Sequence, residues 1–428
     1  MVNKLEVYKD MKDSGIEWVG NIPSNWQVER GKHILNLLNR SVNKDDEVIT
    51  CFRDGEVTLR KNRREDGFTV SVKEIGYQGV EVGDLVVHGM DGFAGAIGVS
   101  DSRGKSSPVL NVMDSTQNKR YLMYFLRSAA YRDVFMSLST GIRVRSCDLR
   151  WNKLANFLFV LPSIEEQNNI VNFIDSKVKK LDELIDEAKT SIEDYKKWKS
   201  SIIYEAVTKG LDQSVEMKDS GVEWIGNIPK TWMLGRIKNV VDFMPKCDYS
   251  SINKTSDVTF TPMECIRTGC FENRKIKMDK VNSSYTAYAE GDIVMAKVTP
   301  CFENGNLCIM KNLYSGVGFG SSELFVLRPT QILDRYLFYF LQHEGFKQTA
   351  CSTMTGTGGL KRVSSSFIKN CPIVYPDIEE QKHIANVLDK KCTAIQNLIL
   401  EKESLISDLE AYKKSLIYEV VTGKRRVC

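Results

Sequence analysis

The sequence predicts an α/β protein of two pseudo-two-fold-related globular domains separated by a long antiparallel two-helix coiled coil. Three observations predict it. Residues 11–26 (MKDSGIEWVGNIPSNW) return as residues 217–232 (MKDSGVEWIGNIPKTW), with twelve of the sixteen positions identical. Two of the four changes, Ile16/Val222 and Val19/Ile225, only exchange branched apolar residues. A second pair follows: Pro162 opens PSIEEQNNIVNFID and Pro376 opens PDIEEQKHIANVLD, closing on SIIYEAVTKG and SLIYEVVTGK. Within these segments apolar residues fall at alternating steps of three and four, the seam of paired helices. The chain is therefore two copies of one unit in tandem.

Taken in order, the first globular domain is expected over 1–161 and carries the repeated segment 11–26. Asp84–Val87 reads as a strand bounded by glycine, and Tyr121–Arg132 as a helix. The first spacer helix is expected over 162–210, with Val171, Ile174, Val178, Leu181, Ile185, Ala188, Ile192 and Tyr195 on its seam. The second domain is expected over 211–375, carrying segment 217–232, a strand at Asp292–Met295 and a helix at Tyr336–Phe346. The second spacer helix and a basic tail are expected over 376–428, with Ala385, Leu388, Cys392, Ile395, Ile399, Lys402, Ile406 and Leu409 in the same register. Ser163 or Asp377 after each proline, followed by Glu-Glu, suits a helix N-terminus. Roughly 44 residues at 1.5 Å each make a rod of about 65 Å. Only a short connector follows the first rod, so the second is expected to pair by running back.

At 428 residues, 42% hydrophobic and 27% charged, the chain has the composition of an ordinary globular protein with two or three cores. No apolar run approaches the length of a membrane span. The opening MVNKLEVYKDMK lacks the apolar core of a signal peptide, so a cytoplasmic location is expected. Of eleven cysteines, only Cys51 and Cys147 precede residue 240, which argues against a disulfide framework shared by both copies. Cys265, Cys270, Cys301 and Cys308 are read as free thiols rather than a zinc cluster.

Catalytic signatures are near misses. Gly98-x5-Gly104-Lys105-Ser106 has one residue too many for a phosphate loop. Asp377, Glu380 and Lys382 mimic a nuclease triad but sit in a helix start, where carboxylates favour the dipole. No Pro-Pro dipeptide occurs, so the amino-methyltransferase motif Asn/Asp-Pro-Pro-aromatic is absent, and no metal ligand set is expected.

Basic clusters lie in the divergent regions: Arg60, Lys61, Arg63 and Arg64 in the first copy, Arg274, Lys275 and Lys277 in the second. Arg143, Arg145 and Arg150 follow Gly141, as Lys361 and Arg362 follow the Gly356–Gly359 loop. His88 and Lys105 in the first copy, with Lys297 and Thr299 in the second, complete the candidate DNA-binding residues. Arginines beside glycine-rich loops contact phosphates and read guanine edges. The loop after His88 is either a recognition loop or a tight connection. Trp18, Trp26, Trp224 and Trp232 are read as core residues or partner-facing anchors.

Taken together, MKDSGIEWVGNIPSNW and its copy, both PxIEEQ openings, the ends Tyr204–Thr208 and Tyr418–Thr422, and Gly291-Asp-Ile-Val-Met-Ala-Lys-Val-Thr-Pro-Cys-Phe-Glu-Asn-Gly resemble the specificity subunit of type I restriction-modification systems. The resemblance implies two target-recognition domains, each reading half of an asymmetric split DNA sequence, with the paired helices as a ruler. It implies two modification subunits bringing S-adenosylmethionine and adenine-N6 methylation, and restriction subunits adding ATP- and Mg-dependent translocation and cleavage. No cofactor and no catalysis are expected in this chain. The alternative from another class is a two-headed protein scaffold that does not touch DNA.

Overall fold

The computed structural model describes residues 6–63, 74–137, 149–357 and 359–427. The chain divides into two compact units, residues 1–189 with 404–428 and residues 190–403. Each unit thus owns half of each long helix, Ile164–Lys209 and Ile378–Val421.

The first unit is organised by a four-stranded antiparallel sheet in the order Leu35–Leu37, Leu110–Ser115, Leu85–His88, Ile97–Val99. The inner strand Leu85–His88 begins with three apolar residues, Leu85, Val86 and Val87, all fully buried, as expected of a strand covered on both faces. The helix Lys119–Tyr131 packs on it and buries Tyr121, Leu122, Phe125 and Leu126. A second, looser layer consists of two antiparallel ladders, Ile49–Cys51 with Val57–Leu59 and Gln78–Val80 with Gly104–Ser106. A parallel bridge between Val48 and Lys105 joins them.

The second unit repeats this plan. Its first sheet runs Val241–Phe243, Leu324–Pro329, Ile293–Ala296, Leu307–Ile309, all antiparallel. Its second layer is one continuous sheet, Arg274–Lys277, Asp257–Thr261, Val317–Gly320, Thr286–Ala289, with the middle pair parallel. The helix expected over Tyr336–Phe346 is instead two helices, Asp334–Phe340 and Glu344–Ser352. His343 breaks it: its backbone is extended, and its ring Nδ1 accepts the Phe346 N–H at 3.2 Å, capping the second helix. A side-chain acceptor at that place satisfies a donor the helix start would leave orphaned.

Both long helices begin as the sequence predicts. Ser163 Oγ accepts the Glu166 N–H at 3.2 Å, and Asp377 Oδ1 accepts the N–H groups of Glu379 and Glu380 at 3.1 and 2.9 Å. Both end on a glycine with positive φ, Gly210 at 78° and Gly423 at 71°. A side chain at Gly423 would place Cβ 2.3 Å from Pro23 Cδ, so the stop is steric as well as conformational.

Within each unit the two helix halves run antiparallel. In the first, Trp26 links Glu166 to the Gly423 end, while Asp182 pairs with Lys413 at 2.6 Å. In the second, Gly210 lies beside Glu380, while Lys199 reaches Gln396 at 3.4 Å. Val171, Ile174, Leu181, Ile185, Ala188 and Ile192 are buried, as are Ala385, Leu388, Cys392, Ile395 and Ile399; Val178, Tyr195, Lys402, Ile406 and Leu409 are half-buried.

Gly98 lies in the strand Ile97–Val99, and Gly104-Lys105-Ser106 is itself a strand, so no loop precedes a helix there. Lys382 of the apparent nuclease triad pairs with Glu379 one helical turn away. Among the described residues no helix is long and apolar enough to cross a membrane, and no cluster of three or more His, Cys, Asp or Glu could hold a metal ion.

Candidate nucleic-acid interface

The repeated segments form the frame from which the divergent surfaces project. Trp26 Nε1 donates to Glu166 Oε2 and Trp232 Nε1 to Glu380 Oε1, both at 3.1 Å. The Tyr121 hydroxyl lies 2.8 Å from the Val160 carbonyl and 3.0 Å from that of Val421; Tyr336 does the same with Val374 at 2.9 Å and Val207 at 3.1 Å. Burial pushes both phenols well above their ordinary pKa, so they remain neutral donors. Trp26 and Trp232 are 0% and 1% exposed. They are core residues, and no partner can reach their rings. Trp18 and Trp224 are only half-buried: Trp18 packs on Phe125 at 5.2 Å, and Trp224 lies 5.3 Å from the His343 ring.

In the first unit Arg60, Arg63 and His88 line one cleft of about 830 Å³, together with Arg53, Asp54 and Asp91. Arg60 also borders an adjoining hollow with Lys61 and Lys105. Five candidates from three separate stretches of sequence therefore converge. Arg60 Nε donates to Thr50 Oγ1 at 3.3 Å. Arg63 lies over the Phe52 ring at 4.3 Å and pairs with Asp54 at 2.6 Å and Glu56 at 3.1 Å. Lys61 pairs with Glu47, and Lys105 with Glu74 at 2.7 Å. His88 Nδ1 accepts the N–H groups of Met90 and Asp91 at 3.2 and 3.0 Å, which closes the loop and leaves the neutral ring's proton on Nε2. Burial holds the His88 pKa below its ordinary value, against the opposing pull of Asp91. Asp91 in turn accepts from Arg53 at 2.9 Å. Arg150 is exposed beside this loop, since the Leu149 N–H donates to the Gly89 carbonyl at 2.8 Å. Arg64, Arg143 and Arg145 lie outside the described residues.

In the second unit the counterpart of that loop is a short ribbon. Thr299 N donates to the Lys361 carbonyl and Lys361 N to Thr299 Oγ1, both at 2.9 Å; Val363 N donates to the Lys297 carbonyl at 2.9 Å. Lys297, Thr299, Lys361 and Arg362 are thereby brought together. Arg274, Lys275 and Lys277 lie apart from them, on the strand Arg274–Lys277 at the edge of the second sheet. Arg274 is held by Glu272 at 2.9 and 2.8 Å, Lys277 by Asp257 at 2.8 Å, and Lys275 sits over the Tyr314 ring at 4.6 Å.

What sequence reasoning missed is the carboxylate beside nearly every candidate cation: Glu47, Asp54, Glu56, Glu74, Asp257, Glu272 and Glu323. Exposed pairs of this kind contribute little stability, about 0–1 kcal/mol each. Their effect is to fix cation geometry and lower the net charge of each surface.

The comparisons with known proteins agree with this architecture. Residues 229–404 match the family described as the type I restriction modification DNA specificity domain. The EcoEI type I restriction enzyme specificity subunit of Escherichia coli is 34% identical over 192 residues, covering 44% of this chain and 32% of that subunit. The putative MjaX type I restriction enzyme specificity subunit of Methanocaldococcus jannaschii is 24% identical over the full length of both chains. The chain is similar in sequence to type I restriction-modification specificity subunits, and the matching domain lies at residues 229–404. The chain spans about a third of the length of the Escherichia coli relative. A solved chain from work on complex assembly and conformational transition of the type I R-M system shares the fold, with a TM-score of 0.70 at 14% identity over 94% of this chain and 98% of that one.

Proposed function

We propose that this chain is the specificity subunit, the DNA-reading component, of a type I restriction-modification complex, recognising a bipartite, asymmetric duplex target. The first unit reads one half through the cleft around Arg60, Arg63 and His88, with Arg150 beside it. The second reads the other half through the ribbon of Lys297, Thr299, Lys361 and Arg362. The observation that carries this reading is one bond-for-bond repeated frame bearing two unlike basic surfaces. A symmetric reader would need two equal surfaces, and a single-site reader only one.

Lysine and arginine contacts to phosphate supply sequence-independent affinity that falls steeply with salt. Base-edge contacts add roughly 1–3 kcal/mol of discrimination each, and two half-sites add approximately independently. The long paired helices set the unread gap between the halves. The chain itself performs no catalysis. Two modification subunits, carrying S-adenosylmethionine and methylating adenine N6, dock on the frame. Restriction subunits contribute ATP- and Mg-dependent translocation and cleavage.

Mapping methylated adenines in DNA from cells with and without this chain tests the reading. A split motif with a fixed gap is expected only when the chain is present. Removing one heptad from each long helix shortens that gap or abolishes modification, and an unchanged gap refutes the spacer role. Duplex binding by the assembled complex that does not weaken with salt, or does not occur, favours a protein scaffold instead.

A further inference from the structure

The candidate arginines of the second unit are not equivalent. The turn 321–323 is clamped to the ribbon: Lys297 N donates to the Glu323 carbonyl at 3.0 Å, Lys297 Nζ to the Ser322 carbonyl at 2.7 Å, and Glu323 N to Ser321 Oγ at 3.2 Å. The Glu323 carboxylate then takes two bonds from Arg362, Nε to Oε2 at 2.8 Å and Nη2 to Oε1 at 3.0 Å. A guanidinium carries five N–H donors in a rigid plane. The carboxylate uses the Nε side of that plane. The outer fork, one N–H on each terminal nitrogen, has no hydrogen-bond partner among the described residues, and the Arg362 side chain is 47% exposed. That fork matches the O6 and N7 acceptors of guanine in the major groove.

Two neighbours sharpen the contrast. Arg274 is gripped in the same way by Glu272, but its Nη1 also donates to Glu264 at 3.4 Å, so a second carboxylate competes for one of its terminal nitrogens. Lys361, next to Arg362, is exposed, and its ammonium has no side-chain partner among the described residues. A paired arginine is nearly charge-neutral with its carboxylate, so it orients well and attracts phosphate weakly. A lone ammonium does the opposite.

We propose that Arg362 reads a guanine in the half-site of the second unit, with Glu323 as its positioning residue and Lys361 as the adjacent phosphate anchor. This rests on the DNA-reading function proposed above.

The assembled complex with its modification subunits is incubated with a pool of randomised duplexes, and the bound fraction is sequenced. The wild-type complex enriches a two-part motif. Arg362→Ala loses preference at one G·C pair by roughly 10-fold or more and keeps the rest of the motif. Arg362→Lys, which retains the charge without the fork, loses the same preference, and Glu323→Gln loses part of it. Lys361→Ala keeps every preference but binds all duplexes more weakly, with a shallower salt dependence. An unchanged motif in Arg362→Ala, or a uniform loss resembling Lys361→Ala, overturns the assignment while leaving DNA reading intact. A wild-type complex that enriches no motif overturns the underlying reading instead.

Discussion

The two units share a frame and differ in what the frame carries. Tryptophan to glutamate and tyrosine to two carbonyls occur at matched places in both. A buried aspartate also recurs, but its arginine comes from a different strand: Asp84 pairs with Arg40, just beyond Leu35–Leu37, and Asp292 with Arg328 at 2.7 Å, inside Leu324–Pro329. Beyond the frame the correspondence loosens. The second layer is one continuous sheet in the second unit but two ladders joined by a bridge in the first. The first unit offers a cleft ordered by His88 and Asp91, the second a ribbon ordered by Glu323. What this teaches is a division of labour: long-range bonds hold the frame, and the surfaces are free to vary because the frame does not depend on them.

Substitutions can break or sharpen that comparison. The largest effect is expected from Trp26→Ala and Trp232→Ala, each costing about 3–5 kcal/mol from a buried indole and its lost bond. Unfolding measured in denaturant should show similar losses, and a large inequality would mean the frames are not energetically equivalent. Asp292→Asn and Asp84→Asn each leave an arginine facing a neutral amide, at about 3 kcal/mol. Hydrogen exchange should place each loss in its own unit.

The next test exploits a difference within the frame. His343 and Ser128 occupy the same place after Tyr336 and Tyr121, and both bury a polar atom without a hydrogen-bond partner among the described residues. Burial pushes the His343 pKa down from 6.5 to about 4, opposed by Glu344. Between these values the unfolded chain binds a proton that the folded chain refuses. Stability is therefore present at neutral pH and is lost as pH falls from about 6.5 to about 4, by up to about 3 kcal/mol. The loss from His343 falls on the second unit, since Ser128 at the same place in the first does not titrate, while burial of His88 adds a loss of the same sign to the first. His343→Gln should flatten the pH dependence of unfolding, and an unaltered profile would show that another group is responsible. The smallest effect, about 1 kcal/mol each, is expected for Thr208→Val and Thr422→Val, whose hydroxyls donate to the Tyr204 and Tyr418 carbonyls at 2.6 Å. Thermal melts that separate the two variants would expose an asymmetry at the helix ends.

Much of the frame was legible in the sequence because its signals are local. Caps at Ser163 and Asp377, glycines at 210 and 423, and the heptad seam follow from backbone geometry within a few residues. The break at His343 was not legible, since an apolar helical pattern continues through it and only a side-chain cap interrupts it. Of the two readings of Trp26 and Trp232, core or partner-facing, burial selects the core, and the bonds that fix the rings there reach Glu166 and Glu380, each about 140 residues away in sequence.

By itself the sequence determined the tandem repeat, the α/β class and the paired helices, since repetition and periodicity are properties of residue order. The tertiary structure alone decided which cations share a surface and which carboxylate holds each one. Arg362 and Glu323 are 39 residues apart, and Arg53 and Asp91 are 38 apart. Such pairs form only when strands from separate segments are brought edge to edge, and no local pattern encodes that meeting.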